Sequence, residues 1–212
     1  MPTRVTRTRL RPRKAPRQAR SAEMVETIVE AAARILEARG LAGFNTNAVA
    51  ERAGVSVGSL YQYFPNKEAL IAALSNRERA RLAAEIADAT RTTADLGLEA
   101  ALRQLARAAI RRRLARPELA RVLEFEEQRL VLDESDRKVT HDIATQVTVL
   151  LRRHRRSVRI GDLEEGAFDL IAIARALIDG AATRGRVNPA ALEARVTRAA
   201  LGYLTGRANV AA

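Results

Sequence analysis

Residues 45–74 contain the feature that most restricts how this chain can fold, two short helical patterns separated by a glycine turn. In the turn, Ala53-Gly54-Val55-Ser56, glycine permits a sharp reversal and serine is a preferred residue for starting a helix. The second pattern ends before Pro65, and it carries small and aromatic polar residues where a core helix would carry leucine. This arrangement predicts a helix-turn-helix whose second helix contacts another molecule.

Apolar residues spaced three and four apart predict helices along most of the chain, and no stretch alternates with period two. Four helices are expected first, from about Ser21 to Gly40, at Thr46–Ala53, from Ser56 to before Pro65, and from Asn66 to about Thr90. Five more are expected at Leu98–Ala115, Pro117–Leu132, Asp136–Arg156, Leu163–Thr183 and Pro189–Thr205. The predicted fold class is therefore all-α.

Three segments follow from these patterns. Residues 1–20 form a basic arm, residues 21–75 form a three-helix domain with the helix-turn-helix, and residues 76–212 form a larger helical bundle. The boundary near residue 75 falls in or just before a long helix rather than in a Gly/Ser linker. A helix transmits displacement where a flexible linker would absorb it, so the two folded segments are expected to be mechanically connected.

Net charge is +12, and the arm alone carries eight cationic residues and no acid. With three prolines and little to bury, the arm is expected to be disordered by itself and to lie along DNA or enter a minor groove. The alternative is a solvated tail that reflects a general preference of this chain for arginine, since only three of its 37 cationic residues are lysine.

Several classes of function find no support in the sequence. There is no cysteine, the two histidines are His141 and His154, and no glycine-rich phosphate loop or nucleophile–base set is recognisable. No apolar run reaches the roughly 18–20 residues that a membrane span needs. We therefore expect a cytoplasmic protein that is not an enzyme and has no catalytic residue, metal site or cofactor.

A longer motif surrounds the turn. Its residues are Phe44, Val49-Ala50, Ala53-Gly54-Val55-Ser56, Gly58-Ser59-Leu60-Tyr61, Tyr63-Phe64 and Lys67-Glu68-Ala69-Leu70. Between about Ala22 and Leu74 the chain resembles the N-terminal domain of the TetR family of bacterial transcriptional repressors. The remaining residues resemble that family only in being all-helical and of the right length. The resemblance implies a regulator that binds double-stranded DNA.

Residues that contact DNA are expected on the exposed side of the two short helices and at the start of the next helix. Val57 can touch a thymine methyl group, Ser59 a base edge or a phosphate, and Gln62 an adenine or the DNA backbone. By resemblance, two tyrosines donate hydroxyls to phosphates, with Tyr61 partly packed, and a lysine contacts a third phosphate. The full predicted set is Thr46, Asn47, Ser56, Val57, Gly58, Ser59, Tyr61, Gln62, Tyr63 and Lys67. The alternative is an ordinary solvated helix face.

Residues 167–178, AFDLIAIARALI, are apolar on more than one side, which predicts burial on two sides. One side can pack within the subunit and the other against a second copy, and the resemblance implies that the last two long helices form a four-helix bundle in a homodimer. Such a dimer would place two recognition helices on a palindromic operator. A central core helix in a monomer is the alternative.

The resemblance also implies a pocket for a small-molecule effector in the larger helical domain. Candidate ligand-binding residues are Leu123, Glu126 and Gln146, where polar groups interrupt or flank apolar helix stripes. The alternative, which is the more common one for such residues, is that the two polar residues are surface positions at the edge of a stripe or members of ion pairs with the many arginines. The function predicted is a repressor released by its effector, and the alternative is a DNA-binding activator or architectural protein without one.

Overall fold

The computed structural model describes residues 19–129, 134–185 and 187–206, within which the chain forms nine α-helices, one short 3-10 helix and no strand. The helices are α1 (Ala19–Arg39), α2 (Thr46–Ala53), α3 (Val57–Tyr63), α4 (Lys67–Thr92), α5 (Leu98–Ala115), α6 (Pro117–Arg129), α7 (Glu134–Arg153), α8 (Leu163–Thr183) and α9 (Pro189–Thr205). The predicted all-α fold is confirmed. No helix of the described residues is long and apolar enough to cross a membrane. The predicted arm, apart from its last two residues, lies outside the described residues, as does the predicted end of α6 at Leu132.

The largest difference from the predicted helix ends is at α7. It was expected to continue to Arg156, but it ends at Arg153 and a 3-10 helix follows at Arg155–Ser157. Between them His154 leaves the α-helical backbone, and its N–H is shared between the carbonyls of Leu150 and Leu151 at 3.3 and 3.2 Å. Sharing of this kind is common where a helix terminates.

Tertiary contacts explain why α7 stops there. The side chain of Val158 is only 3% exposed, and the next N–H, that of Arg159, donates to the carbonyl of Leu204 in α9 at 2.7 Å. The backbone of Val158 is extended. Both contacts need the chain to turn back toward α9, which a longer α7 would prevent, and helix periodicity alone carries no signal for such a turn.

The chain divides into two compact units, residues 1–78 with 118–135 and residues 79–117 with 136–212. The return of α6 to the first unit is not foreseen by the predicted contiguous segments. It follows from the apolar face of α6, whose Leu119, Val122 and Leu123 are buried in the core of the first unit. The first crossing between units falls inside the continuous helix α4.

One apolar core holds the first unit together. Its most deeply buried large side chains, each no more than 1% exposed, are Ile28, Leu36, Val49, Leu60, Phe64, Leu70, Ile71, Leu74 and Leu119. Helices α2 and α3 have eight and seven residues, too few to be stable alone in water. Burial of a leucine contributes roughly 1.5–3 kcal/mol, so this core supplies the stability that the short helices lack.

The second unit is organised by α5, α8 and α9, which pack against one another. One apolar cluster joins α7 to this group through buried residues such as Leu151 and Leu204, and another is centred on residues such as Ile178 and Leu192. Ion pairs join the helices at the surface. Arg107 binds both carboxylate oxygens of Glu193 at 2.8 and 3.0 Å, which raises the pKa of this arginine further above its ordinary value.

Candidate nucleic-acid interface

The direction of α2 is fixed at both ends. At its start, Asn45 Oδ1 accepts a hydrogen bond from the N–H of Ala48 at 2.9 Å. At its end, Gly54 adopts the left-handed conformation with φ of 69°, and its N–H returns to the carbonyl of Glu51 at 3.1 Å. An L side chain at Gly54 would be strained in this conformation, so the predicted turn does require glycine.

Helix α3 begins at the predicted cap. Ser56 Oγ accepts from the N–H of Ser59 at 3.0 Å, and the two hydroxyl oxygens lie 2.8 Å apart. The inner side of α3 is Leu60, which is fully buried. The cap and this contact use part of the hydrogen-bonding capacity of both hydroxyls, and Ser59 lies half-buried at the helix surface.

The outer face of α3 presents few and small groups. Val57 is 37% exposed, and Gly58 and Gln62 are also exposed. On α2, Asn47 is exposed and Thr46 is half-buried. All the predicted reading residues of α3 other than the half-buried Ser59 therefore face solvent, and none of them carries a charge.

None of the residues that the structure describes requires a glycine at position 58. Its backbone φ is not positive, and a Cβ atom built there would meet only Ser56 Oγ, at 3.8 Å. Glycine inside a helix costs roughly 0.5–1 kcal/mol relative to alanine. The open space beside Gly58 lets another molecule approach the backbone of α3 closely.

Two tyrosine hydroxyls flank this face, and each is bonded to another hydroxyl. Tyr61 lies 3.0 Å from Thr46 Oγ1, oxygen to oxygen, and Tyr63 accepts a hydrogen bond from Ser21 Oγ at 3.2 Å. Because Ser21 is the donor, the proton of Tyr63 remains available for an outside acceptor. Tyr61 is 40% exposed, more open than the partly packed position expected for it.

Ser21 is a residue that the sequence reasoning missed as part of this interface. It lies in the first turn of α1, 42 positions before the tyrosine that it contacts. No spacing rule links two positions so far apart, so only the packing of α1 beside α3 could identify the contact.

Helix α1 is also joined to α4. The guanidinium of Arg77, whose side chain is only 9% exposed, lies 3.0 Å from a carboxylate oxygen of Glu26 and 2.9 Å from one of Glu30. A third carboxylate, that of Glu78, is 3.2 Å away. These bonds fix the first half of α4 relative to the helix that orients Tyr63.

The start of α4 presents the remaining predicted contact. Lys67 is exposed at the first position of the helix, and the preceding residue, Asn66, caps it by accepting from the N–H of Ala69 at 2.8 Å. The positive end of the helix dipole and the ammonium group lie together here. An anion is the natural ligand of such a position.

The interface is nevertheless built on an acidic unit. Outside the arm, residues 21–78 and 118–135 contain seven Lys and Arg residues against thirteen Asp and Glu residues, a net charge of −6. Any favourable charge for DNA in the sequence of the first unit therefore comes mainly from the arm, with its eight cationic residues.

Comparison with protein families gives two matches along the chain. Residues 28–74 match the bacterial regulatory proteins of the tetR family, and residues 97–204, half of the chain, match the tetracyclin repressor-like C-terminal domain. The chain belongs to the TetR family. It is a transcriptional regulator with a DNA-binding helix-turn-helix, as the sequence predicted.

Solved structures of similar fold agree with this assignment. A candidate TetR-family regulator from Mesorhizobium loti is 22% identical with a TM-score of 0.71, covering 87% of this chain and 96% of that one. The fatty acid degradation regulator FadR from Bacillus halodurans is 20% identical with a TM-score of 0.69, and the match covers 89% of this chain and 96% of that one. FadR from Bacillus subtilis, solved in complex with stearoyl-CoA, is 16% identical with a TM-score of 0.71, and the match covers 84% of this chain and 98% of that one. No curated protein sequence matches the chain.

The candidate effector residues of this TetR-family chain fall in different units. Leu123 and Glu126 lie on α6 in the first unit, only 5% and 6% exposed, and Glu126 has a partner within the protein. Gln146 lies half-buried on α7 in the second unit. Their ligand-binding role stays a prediction. Among the described residues no group of three or more His, Cys, Asp or Glu side chains is placed to hold a metal ion.

Proposed function

We propose that this TetR-family protein represses transcription by binding a palindromic operator as a homodimer, and that a small-molecule effector releases it. The hydroxyl of Tyr63, oriented by Ser21 with its proton available, is the observation that carries the assignment of the DNA face. In this proposal Tyr61, Tyr63 and Lys67 bind phosphates. The bases are read by Thr46, Asn47, Val57, Gly58, Ser59 and Gln62, with Ser56 holding the start of α3.

Two copies are needed because one α3 can read only a few base pairs. A helix-turn-helix dimer reaches two half-sites about 34–36 Å apart and so recognises a longer sequence. The outer side of α8 supports a homodimer. Ala167, Leu170 and Ile178 are buried within the subunit, while Phe168 is 40% exposed and Ala172 is also exposed. Apolar groups outside the subunit core favour burial against a second copy.

Release by an effector would act through α4. This helix begins with Lys67 in the first unit and continues without interruption to Thr92 in the second. Arg77 fixes it to α1, and α1 carries Ser21. A shift of α4 would therefore move Lys67 and, through α1, the support of Tyr63. Coupling of about 1–3 kcal/mol is typical and corresponds to a 5–150-fold loss of DNA affinity.

Acyl-CoA compounds are the first effectors to test, because the similarly folded FadR from Bacillus subtilis was solved with stearoyl-CoA. Operator fragments would first be selected from source-genome DNA, and binding to the selected site measured by fluorescence anisotropy with and without a panel of acyl-CoAs. We expect a palindromic site bound far more tightly than random duplex. Equal binding to both would instead favour an architectural protein, and tight ligand binding without loss of operator affinity would contradict release.

The dimer has its own test with a matched control. Phe168→Glu places a charge on the outer side of α8, whereas Phe125→Glu changes another exposed phenylalanine, 54% exposed, on α6 of the first unit. Sedimentation analysis should give a dimer for the wild type and for Phe125→Glu, and a monomer for Phe168→Glu. A wild-type monomer at micromolar concentration would contradict the homodimer.

A further inference from the structure

Helices α8 and α9 share one outer surface in the second unit. Tyr203 near the end of α9 donates to Asp169 near the start of α8, and Ile178 and Leu192 share an apolar cluster, so the two helices run side by side in opposite directions. The same cluster contains residues of α5, which therefore covers one side of both helices. On the other side, positions three and four apart are exposed, and we call this side the α8–α9 surface.

The centre of the α8–α9 surface is apolar. Phe168 is 40% exposed, and Ala172 and Ala176 are exposed one and two turns further along the same stripe of α8. On α9 the exposed Ala191 and Ala194 are equally small. Two helices side by side, the longer of them with 21 residues, present roughly 30 Å by 20 Å. This area approaches the ~800 Å² that each partner contributes to a standard protein interface.

Charge divides this surface into an acidic end and a basic end. Glu164 and Glu165 are exposed in the first turn of α8, and the exposed Asp169 follows about one turn later. Toward the other end, Arg175 of α8 and Arg195 of α9 are both exposed. Because α9 runs back along α8, these two arginines lie at nearly the same level, about three turns from the two glutamates.

The basic end keeps its charge because the acids beside it are bound to α5. Asp179 of α8 is bound by Arg113 at 2.7 Å, and Glu193 of α9 is bound by Arg107 at 2.8 Å. Arg175 lies 3.6 Å from Asp179, but its own side chain remains 58% exposed. A guanidinium has five N–H donors, so Arg175 can bind a further carboxylate.

We propose that the α8–α9 surface pairs with the same surface of a second copy, with the two α8 helices antiparallel and the two-fold axis beside Phe168. In this dimer Glu164 and Glu165 meet the partner's Arg175 and the partner's Arg195. The inference rests on the homodimer of the proposed function and adds which end of the surface meets which. A two-fold axis across the helices places the acidic end of each copy on the basic end of the other. An axis along the helices would instead place acid on acid and arginine on arginine.

The positions of the charges fit a single axis. Glu164 and Arg175 are eleven residues apart, which is about three helical turns, so they lie on the same flank of α8. Each is roughly 8 Å along the helix from a point between residues 169 and 170, next to Phe168. Rotation about that point therefore brings Glu164 level with the partner's Arg175 on the same flank.

A second copy of this chain fits the surface better than a partner with charge of one sign. Such a partner would be repelled at one of the two ends, whereas an identical copy satisfies both, because a two-fold interface must be complementary to itself. The surface has the apolar centre and polar rim of a protein interface. Complementary charges on a rim contribute more to the choice and orientation of a partner than to affinity.

The test reverses the charge of one end at a time in the full-length protein. The acidic-end variant is Glu164→Lys/Glu165→Lys, and the basic-end variant is Arg175→Glu/Arg195→Glu. Sedimentation analysis gives the dimer dissociation constant of each variant alone, and native mass spectrometry resolves the species in an equimolar mixture of the two. Circular dichroism checks that the helices are retained, and the single reversals Glu165→Lys and Arg195→Glu give the same comparison if a double variant loses helicity.

The controls reverse the same numbers of charges away from the α8–α9 surface. They are Asp95→Lys/Asp142→Lys and Arg152→Glu/Arg156→Glu, which change exposed residues elsewhere in the second unit. Both should keep the wild-type dissociation constant. An equal weakening in a control would overturn the proposal, since net charge alone would then be responsible.

Each reversed variant alone should have a dimer dissociation constant at least about 100-fold above that of the wild type, because four contacts of the symmetric interface change from attraction to repulsion. In the mixture all four contacts become attractive again, so the heterodimer should form in preference to either homodimer. Added salt should reduce these differences.

Failure of this inference and failure of the proposed homodimer give different results. A dimeric wild type with equally tight reversed variants, or with a mixture that forms no heterodimer, would overturn the antiparallel charge pairing and leave the homodimer standing. A monomeric wild type would contradict the homodimer itself.

Discussion

The two units of the molecule use charge in opposite ways. The first unit carries the proposed reading face of α3, yet outside the arm it is acidic, and the proposed contact groups are mostly hydroxyls, two amides and open backbone. The second unit contains no helix-turn-helix within the residues that the structure describes, and its sequence carries a net charge of +10. Net charge is therefore divided unevenly between the two units, and it does not by itself mark the unit that carries the helix-turn-helix.

Tyrosine shows the same contrast on the scale of one side chain. In the first unit Tyr61 and Tyr63 bond to neutral hydroxyls of Thr46 and Ser21. In the second unit Tyr203 on α9 donates to the carboxylate of Asp169 on α8. A tyrosine held by a carboxylate has its proton committed within the protein, whereas a tyrosine that accepts from serine still has a proton to donate to a phosphate.

Removing a core side chain from one unit at a time should have the largest effect and tests which unit operator binding depends on. Leu60→Ala deletes a fully buried side chain that holds α3 in the first unit, and we expect it to lower the free energy of unfolding by about 2–5 kcal/mol. Because α3 cannot persist without this contact, operator binding should be lost, as measured by anisotropy beside urea unfolding monitored by circular dichroism.

The matched control is Leu204→Ala, which removes an equally buried leucine from the second unit. It should cost a similar free energy but keep operator binding at temperatures where the protein remains folded. Wild-type operator affinity for a folded Leu60→Ala protein would show that the reading face does not depend on the packing of α3.

Removing one hydroxyl should have the next largest effect. Tyr63→Phe keeps the ring but deletes the group offered to a phosphate, and loss of a hydrogen bond to a charged partner costs about 1.5–3 kcal/mol. We expect operator affinity to fall at least about tenfold. Ser21→Ala should give a smaller loss, because Ser21 orients the hydroxyl without binding DNA itself.

Tyr203→Phe is the control for this substitution, since it removes a hydroxyl bonded to Asp169 in the other unit. Its operator affinity should equal that of the wild type in the same anisotropy assay. Equal affinities of Tyr63→Phe and wild type would remove the phosphate role from Tyr63.

The helix-turn-helix was predictable from sequence because its determinants are local. Asn45, Gly54 and Ser56 act on backbone groups no more than four residues away, and the cap and turn chemistry of each residue type is specific. Local signals also predicted most helix ends, including those of α5, α8 and α9. At these ends the chain has a Pro, Asp or Asn, or its apolar periodicity begins or stops.

Contacts between distant positions were not predictable. The return of α6 to the first core, the support of Tyr63 by Ser21 and the binding of Arg77 to α1 all join segments at least 42 residues apart. Periodicity shows that a helix has an apolar face but not which partner covers it. The early end of α7 likewise depends on a backbone bond to α9.

A glycine-to-alanine pair tests the open backbone of α3. Gly58→Ala should raise the free energy of unfolding by about 0.5–1 kcal/mol, because alanine favours helix and its methyl group meets only Ser56 Oγ, at an ordinary contact distance of 3.8 Å. Operator affinity should fall, since that methyl group lies where DNA approaches. Gly54→Ala should instead lower the free energy of unfolding, because Gly54 has a positive φ, which is strained for alanine. Thermal unfolding and anisotropy report the two quantities, and a stabilised Gly58→Ala protein with unchanged affinity would mean that DNA does not approach α3 there.

The smallest expected effect concerns the tyrosine of the second unit. The hydrogen bond to Asp169, burial and the negative charges of Asp169 and Glu165 raise the pKa of Tyr203 to about 12. The folded state therefore holds this proton more tightly than the unfolded state, whose tyrosine has the ordinary pKa of about 10. The resulting stabilisation is complete below pH 10 and is lost as pH rises from 10 to 12. Subtracting the absorbance titration of Tyr203→Phe from that of the wild type isolates this group from the tyrosines of α3. We expect the wild type to titrate with a midpoint near 12, and Asp169→Asn to move that midpoint toward 10. A midpoint near 10 in the wild type would show that Asp169 does not hold the proton of Tyr203.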